Sequence, residues 1–262
     1  MTTSSAGVSN VAASVAAAER GLVGAAAGAV APASAEAWER DAAELSAAAL
    51  MFRFLGFALS FEPDERLLAV VHEPGFLEEA PFAGDAAAVR QGMGLVREWA
   101  ASAEGAPDDE TLDDLRSAWL RAFVGVGHPL APPWQSVYTS KEHLMFDIST
   151  LEVRRRYRVF GFEPQKLNNE PDDHIGLMMS FLSLMAQKEL DASGEERERV
   201  REGQREFIER FIAPSVNDWV RDVVEKVPND FYAGVALLAK GSVERRLEQL
   251  GGTWPQAKKG QS

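Results

Sequence analysis

The chain has 262 residues, 46% hydrophobic and 26% charged, an ordinary composition for a protein that buries its own core. Its 40 acidic residues outnumber 27 basic ones, giving a formal net charge of −13, which excludes the basic surface of a non-specific nucleic-acid binder and suits a cationic partner. Cysteine is absent, which excludes disulfides, thiol catalysis and cysteine-ligated zinc or iron–sulfur centres; the four histidines, His72, His128, His143 and His174, form no H-x-x-x-H pair.

Residues 1–35 include 22 Ala, Gly or Ser and no aromatic ring, so they read as a flexible tail with little area to bury. The competing reading is a secretory signal. Leu22–Ala31 is mildly apolar and Ala33-Ser34-Ala35 resembles a cleavage site, but Glu19 cancels Arg20 and no basic start precedes them. The body, 36–250, is patterned for helices. Leu45, Ala48, Phe52, Leu55 and Leu59 make one stripe, with Glu39, Asp41 and Arg53 off it. Leu67, Leu68 and Val71 follow a helix start at Pro63. Val89, Met93, Val96 and Trp99 mark a weaker helix over Asp85–Ala101.

Asp108 or Asp109 then caps a helix bearing Leu112, Leu115, Trp119 and Phe123, with acidic residues in its first turns. Gly125–Tyr138 reads as non-helical, and helical pattern resumes near Lys141 and at Thr150–Phe160. Glu170-Pro171-Asp172-Asp173 opens a helix with Ile175, Met178, Leu182 and Met185, proline lying in its first turn. Charged Glu195–Arg205 leads into Phe207, Ile208 and Phe211, followed by helices over Val216–Val227 and Phe231–Leu250. Gly251-Gly252 ends the domain and 251–262 is a short tail. The fold is therefore expected to be all-α, a single globular domain of roughly nine to eleven helices.

No stretch reads as a membrane span: Ala122–Ser140 is broken by glycine and proline, and Ile175–Gln187 is too short. There is no phosphate-binding G-x-x-x-x-G-K-[ST], no strand-borne G-x-G-x-x-G and no G-x-S-x-G nucleophile turn; Gly125-Val126-Gly127 is a fragment with no preceding strand.

Two clusters stand out. In Pro132-Pro133-Trp134-Gln135-Ser136-Val137-Tyr138 the paired prolines stiffen an extended backbone and set out two amphipathic rings, suited to a peptide. The plainer reading is that Trp134 plugs the loop into the core. In Glu170-Pro171-Asp172-Asp173-His174 three carboxylates sit at a helix start, where capping and the helix dipole alone account for them. His174 is either a satisfied structural histidine or a group that holds a carboxylate in place.

In this order the clusters resemble the TorD/DmsD family of molybdoenzyme maturation chaperones. Phe123-Val124-Gly125 and Ala131–Tyr138, with Glu142 beyond, look like that family's loop; Glu170-Pro171-Asp172-Asp173-His174-Ile175-Gly176 looks like its E-P-x-D-H signature. The likeness is best over Leu120–Leu184, closer to the DmsD branch, and weak over most of 36–250. Val126 departs from it, since the family often has proline there, and residues 1–35 lie outside it.

The resemblance implies a TorD-like helical fold and a cytoplasmic chaperone without cofactor or metal. Its partners would be the twin-arginine leader and body of a molybdopterin oxidoreductase of the dimethyl-sulfoxide-reductase class, together with export-machinery or cofactor-biosynthesis proteins. The leader-binding residues it implies are Trp134, Gln135, Ser136, Tyr138, Glu170, Asp172, Asp173 and His174. Asp173 and His174 match fixed positions of the signature and are favoured over Asp172. A scaffold that binds another folded surface, or less readily a helical hydrolase using His174 with Asp173, stands as the alternative.

Overall fold

The computed structural model describes residues 35–76, 86–125, 127–140, 148–163 and 171–254. The expected tail 1–35 lies outside them save for Ala35, as do 255–262, Lys141 and Glu142. By compactness the chain divides into 1–39, of which the described part is the first turn of a helix, and Arg40–Ser262, which holds everything discussed below.

The described elements are α1 (Ala35–Ser60), α2 (Glu65–Val71), α3 (Ala87–Ala101), α4 (Asp109–Trp119), α5 (Gln135–Thr139), α6 (Ile148–Val159), α7 (Ile175–Asp191), α8 (Gly194–Phe207), α9 (Ala213–Lys226) and α10 (Asp230–Gln249). The fold is all-α as expected, with no strand among the described residues. α4 runs on through a π turn at Leu120–Val124, and α8 joins α9 through another at Ile208–Ile212. Pro214, at the start of α9, has no N–H for a regular i→i−4 bond, and the wider π turn absorbs the break.

Capping follows the sequence in part. Asp108 accepts from Thr111 N at 2.9 Å and starts α4. Two boundaries differ from expectation. The loop turns helical at Gln135, before Tyr138. The helix after the acidic cluster begins at Ile175, so Pro171, Asp172 and Asp173 precede it instead of forming its first turn.

α10 is at the centre, with apolar residues from Phe231 to Leu247 buried on all sides. Glycines set its distance from α3. A methyl group on Gly92 would meet Gly234 O at 2.7 Å, and one on Gly241 would meet Val89 N at 2.7 Å, so the two backbones touch. α7 is the second core helix. Met178, Met179, Phe181, Leu182 and Met185 are fully buried, each worth roughly 1.5–3 kcal/mol. Glu39–Ser60 is long and apolar enough to cross a membrane by length and composition, a property passed over in the sequence reading. Here its stripe, Leu45, Ala48, Phe52, Leu55 and Leu59, is buried in the core.

Candidate functional site

The site grows from the stiff Pro132-Pro133 segment. It carries Trp134 in extended geometry (φ −103°, ψ 127°) into an isolated antiparallel bridge with His174. Ile175 N donates to Pro133 O at 2.7 Å and Gln135 N donates to Asp173 O at 3.0 Å, the two bonds that flank such a pair. A proline offers only its carbonyl, and that is the group the bridge uses. Trp134 stays half-buried, its ring edge-to-face with the His174 imidazole at 6.2 Å between centroids.

His174 ends the acidic turn and caps α7: its Nδ1 accepts from Gly176 N at 3.0 Å. Burial pushes its pKa down to about 3, so the ring is neutral at pH 7. With Nδ1 accepting, the proton resides on Nε2, which takes no described partner and is not among the enclosed polar atoms that lack one.

The two aspartates face opposite tasks. Asp173 is 0% exposed; it accepts from Ser136 N at 2.8 Å and from Thr150 Oγ1 at 2.9 Å, tying the start of α5 to α6. Asp172 is 2% exposed, and its Oδ2 takes both Nε and Nη2 of Arg154 at 2.7 Å. Its backbone carbonyl accepts from Tyr157 OH at 2.9 Å. Desolvation, then the charges of Asp172 and Asp173, raise that phenol well above its ordinary range, so it remains a donor. Asp172 Oδ1 takes no hydrogen bond from described residues and is not among the fully enclosed orphan atoms.

The expectation favoured Asp173 over Asp172 as a leader contact; here both are buried, and their partners differ. Asp173 has both oxygens hydrogen-bonded by α5 and α6, while Asp172 is bonded through Oδ2 and its Oδ1 takes no described hydrogen bond. Asp173 caps α5 instead of α7, through the first-turn Ser136 N, and Asp172 is held by Arg154.

Gln135 and Ser136 are buried. Gln135 Nε2 donates to Thr139 Oγ1 at 2.8 Å, while Gln135 Oε1 and Ser136 Oγ are enclosed without partners. Tyr138 is half-buried against α9; its hydroxyl donates to Asp222 Oδ2 at 3.4 Å, and desolvation followed by Asp222 pushes its pKa up. Asp222 also pairs with Lys226 at 2.9 Å. Glu170 lies outside the described residues. The structure thus brings Trp134, Gln135, Ser136, Asp172, Asp173 and His174 together around one bridge, with Tyr138 one turn further along.

Sequence reasoning missed Thr150, Arg154 and Tyr157. They lie on α6 at i, i+4 and i+7, one helix face, and all three reach the acidic turn. That spacing was the available signal. It was hidden because Arg154-Arg155-Arg156 offers three like residues, of which Arg156 pairs instead with Glu206.

The profile of the nitrate reductase delta subunit family matches residues 84–223. Among curated proteins, a Tat proofreading chaperone DmsD from Salmonella typhi is 29% identical over 142 residues, covering 53% of this chain and 63% of its own length. A probable Tat proofreading chaperone DmsD from Haemophilus influenzae is 23% identical over 194 residues, 71% of this chain and 83% of that protein. The Salmonella typhimurium DmsD is 34% identical over 77 residues, 29% of this chain and 38% of its own length. The chain thus spans less than two thirds of the length of the Salmonella relatives it matches.

Proposed function

The chain belongs to the TorD/DmsD family, within the nitrate reductase delta subunit grouping, and from that membership we propose that it is a cytoplasmic chaperone for a twin-arginine-exported molybdenum-cofactor oxidoreductase. It binds the client's twin-arginine leader and supports maturation of the client, of the dimethyl-sulfoxide-reductase class, before export. The observation that carries the reading is the bridge of Trp134 to His174. Around it lie a half-buried indole, an imidazole N–H and a carboxylate oxygen of Asp172 that takes no described hydrogen bond. A leader presents guanidinium donors, backbone carbonyls and an apolar stretch, which complement these in turn.

In this reading the eight expected residues divide by role. Trp134, Asp172 and His174 contact the leader, with Tyr138 one turn further along the chain; Glu170, outside the described residues, is kept as an expected contact. Gln135, Ser136 and Asp173 hold the loop in place. The net charge of −13 steers a basic leader toward the protein. The hydrolase alternative has a specific obstacle: an imidazole whose pKa is near 3, with Nδ1 committed to a helix cap, is a poor general base at pH 7.

Calorimetry with a synthetic leader peptide tests the proposal. A peptide with Arg-Arg ahead of its apolar stretch is expected to bind, and its Lys-Lys counterpart to bind more weakly, because lysine lacks the planar fork. Equal binding of both peptides, or of neither, contradicts it.

A further inference from the structure

The pairing of Asp172 with Arg154 has the form of an occupied binding site. A nearly enclosed carboxylate holds a guanidinium through a single oxygen, at 2.7 Å from each of two nitrogens, while the other oxygen takes no described hydrogen bond. The Arg154 side chain is 23% exposed, and its Nη1 has no described partner. It reaches Asp172 from α6 across the chain, and it neighbours Arg155, which is exposed. A buried carboxylate deprived of its cation is strongly destabilised, so the low-cost way to open this pair is to exchange one guanidinium for another. Such an exchange leaves the charge in the site unchanged and preserves the short charge-assisted bonds.

We propose that Arg154 is an internal stand-in for an arginine of the client leader. It neutralises Asp172 while the site is empty and swings toward solvent when a leader guanidinium takes its place. This deepens the leader-binding reading and rests on it: it assigns Asp172 as the guanidinium subsite and Arg154 as the competitor that sets its affinity. A lysine would exchange poorly, since an ammonium lacks the fork that puts two N–H groups on one carboxylate. The subsite thereby separates Arg-Arg from Lys-Lys leaders without any contact that reads the rest of the sequence.

The test is Arg154→Ala in the full chain, with thermal melts and peptide calorimetry. The stand-in role predicts a lowered Tm that millimolar guanidinium restores beyond a matched sodium chloride control, with no such gain in the unaltered protein. It also predicts that the Arg-Arg peptide binds Arg154→Ala about tenfold tighter or more, since a charge-assisted bond no longer has to be displaced. The peptide should raise the Tm of this variant more than that of the unaltered chain.

A folded Arg154→Ala that binds the peptide equally or more weakly, and that guanidinium does not restore, overturns the stand-in role. That result leaves leader binding itself intact as long as the unaltered chain binds. Restoration by guanidinium when neither form binds peptide supports the subsite and removes the leader from it. Should Arg154→Ala fail to fold, Arg154→Lys keeps the charge but weakens the internal pair. Tighter peptide binding by Arg154→Lys supports the exchange, and unchanged or weaker binding overturns it.

Discussion

Helix α7 has a buried carboxylate near each end, and the two are built differently. Near its C-terminal end Glu189 is 0% exposed and accepts from Gln204 Nε2 and Arg201 Nη1 at 2.6 Å each; it also pairs with the buried Arg246. Arg246 in turn donates to Gln204 Oε1 at 3.1 Å, closing a network of side chains from α7, α8 and α10. Just before its N-terminal end, Asp172 has one arginine on one oxygen. Both sites remove a carboxylate from water and neutralise it with arginine. At Glu189 both oxygens are engaged, and removing Glu189 leaves the buried Arg246 without its anion. At Asp172 an oxygen and part of the guanidinium remain unengaged. A saturated pair holds helices together, whereas an unsaturated one is suited to exchange.

The largest expected effect lies at the saturated end. Glu189→Ala leaves Arg246 buried without its anion and is expected to lower stability by about 3–5 kcal/mol, measured by urea unfolding. A loss under about 1 kcal/mol would erase the contrast between the two ends. Asp173→Asn comes next. It replaces an anionic acceptor of the Ser136 amide and Thr150 hydroxyl by a neutral one, and a loss of about 1.5–3 kcal/mol is expected. Leader affinity should fall only as far as the loop loosens. A full loss of binding with stability unchanged would return Asp173 to the role of direct contact.

The third expectation is a pH effect at the cap between them. The folded pKa of His174 is depressed to about 3, while in the unfolded chain it returns to about 6.5. Below pH 6.5 the unfolded state binds a proton that the folded state does not, so stability falls as pH falls. The contribution is present in full above pH 6.5 and declines toward pH 3, by about 2 kcal/mol at pH 5. Comparing unfolding at pH 7 and pH 5 in the unaltered chain and in His174→Asn, which keeps a capping side chain, checks this. An equal pH slope in both would assign the effect elsewhere. The smallest effect is expected from removing residues 1–34. Their composition offers few large apolar groups, and stability should change by less than about 0.5 kcal/mol.

The helices and core were largely legible in the sequence because burial follows the 3.6-residue period. Leu45, Phe52, Leu55 and Leu59 were read as one stripe and are buried together. In the candidate site, the clustering of the motif residues was legible, and their hydrogen-bond partners were not. The motifs named Trp134, Asp172, Asp173 and His174, and these meet at one bridge. How each aspartate is held depends on helix α6, whose Thr150 and Arg154 lie 23 and 18 residues away along the chain. A local pattern carries no information about such a partner. The start of α7 was misread for a related reason: acidic residues after a proline look like a first turn, but the bridge to Trp134 holds them in a turn of their own and hands the cap to His174.

The most direct measurement of the central claim is leader-peptide calorimetry on the unaltered chain and on Trp134→Ala, with Glu189→Gln as the control at the far end of α7. Leader binding at the bridge predicts micromolar or tighter affinity for an Arg-Arg peptide, a loss of roughly tenfold or more in Trp134→Ala, and unchanged affinity in folded Glu189→Gln. Equal affinity in the unaltered chain and Trp134→Ala, or a loss confined to Glu189→Gln, would place the leader away from the Trp134–His174 bridge and contradict the account.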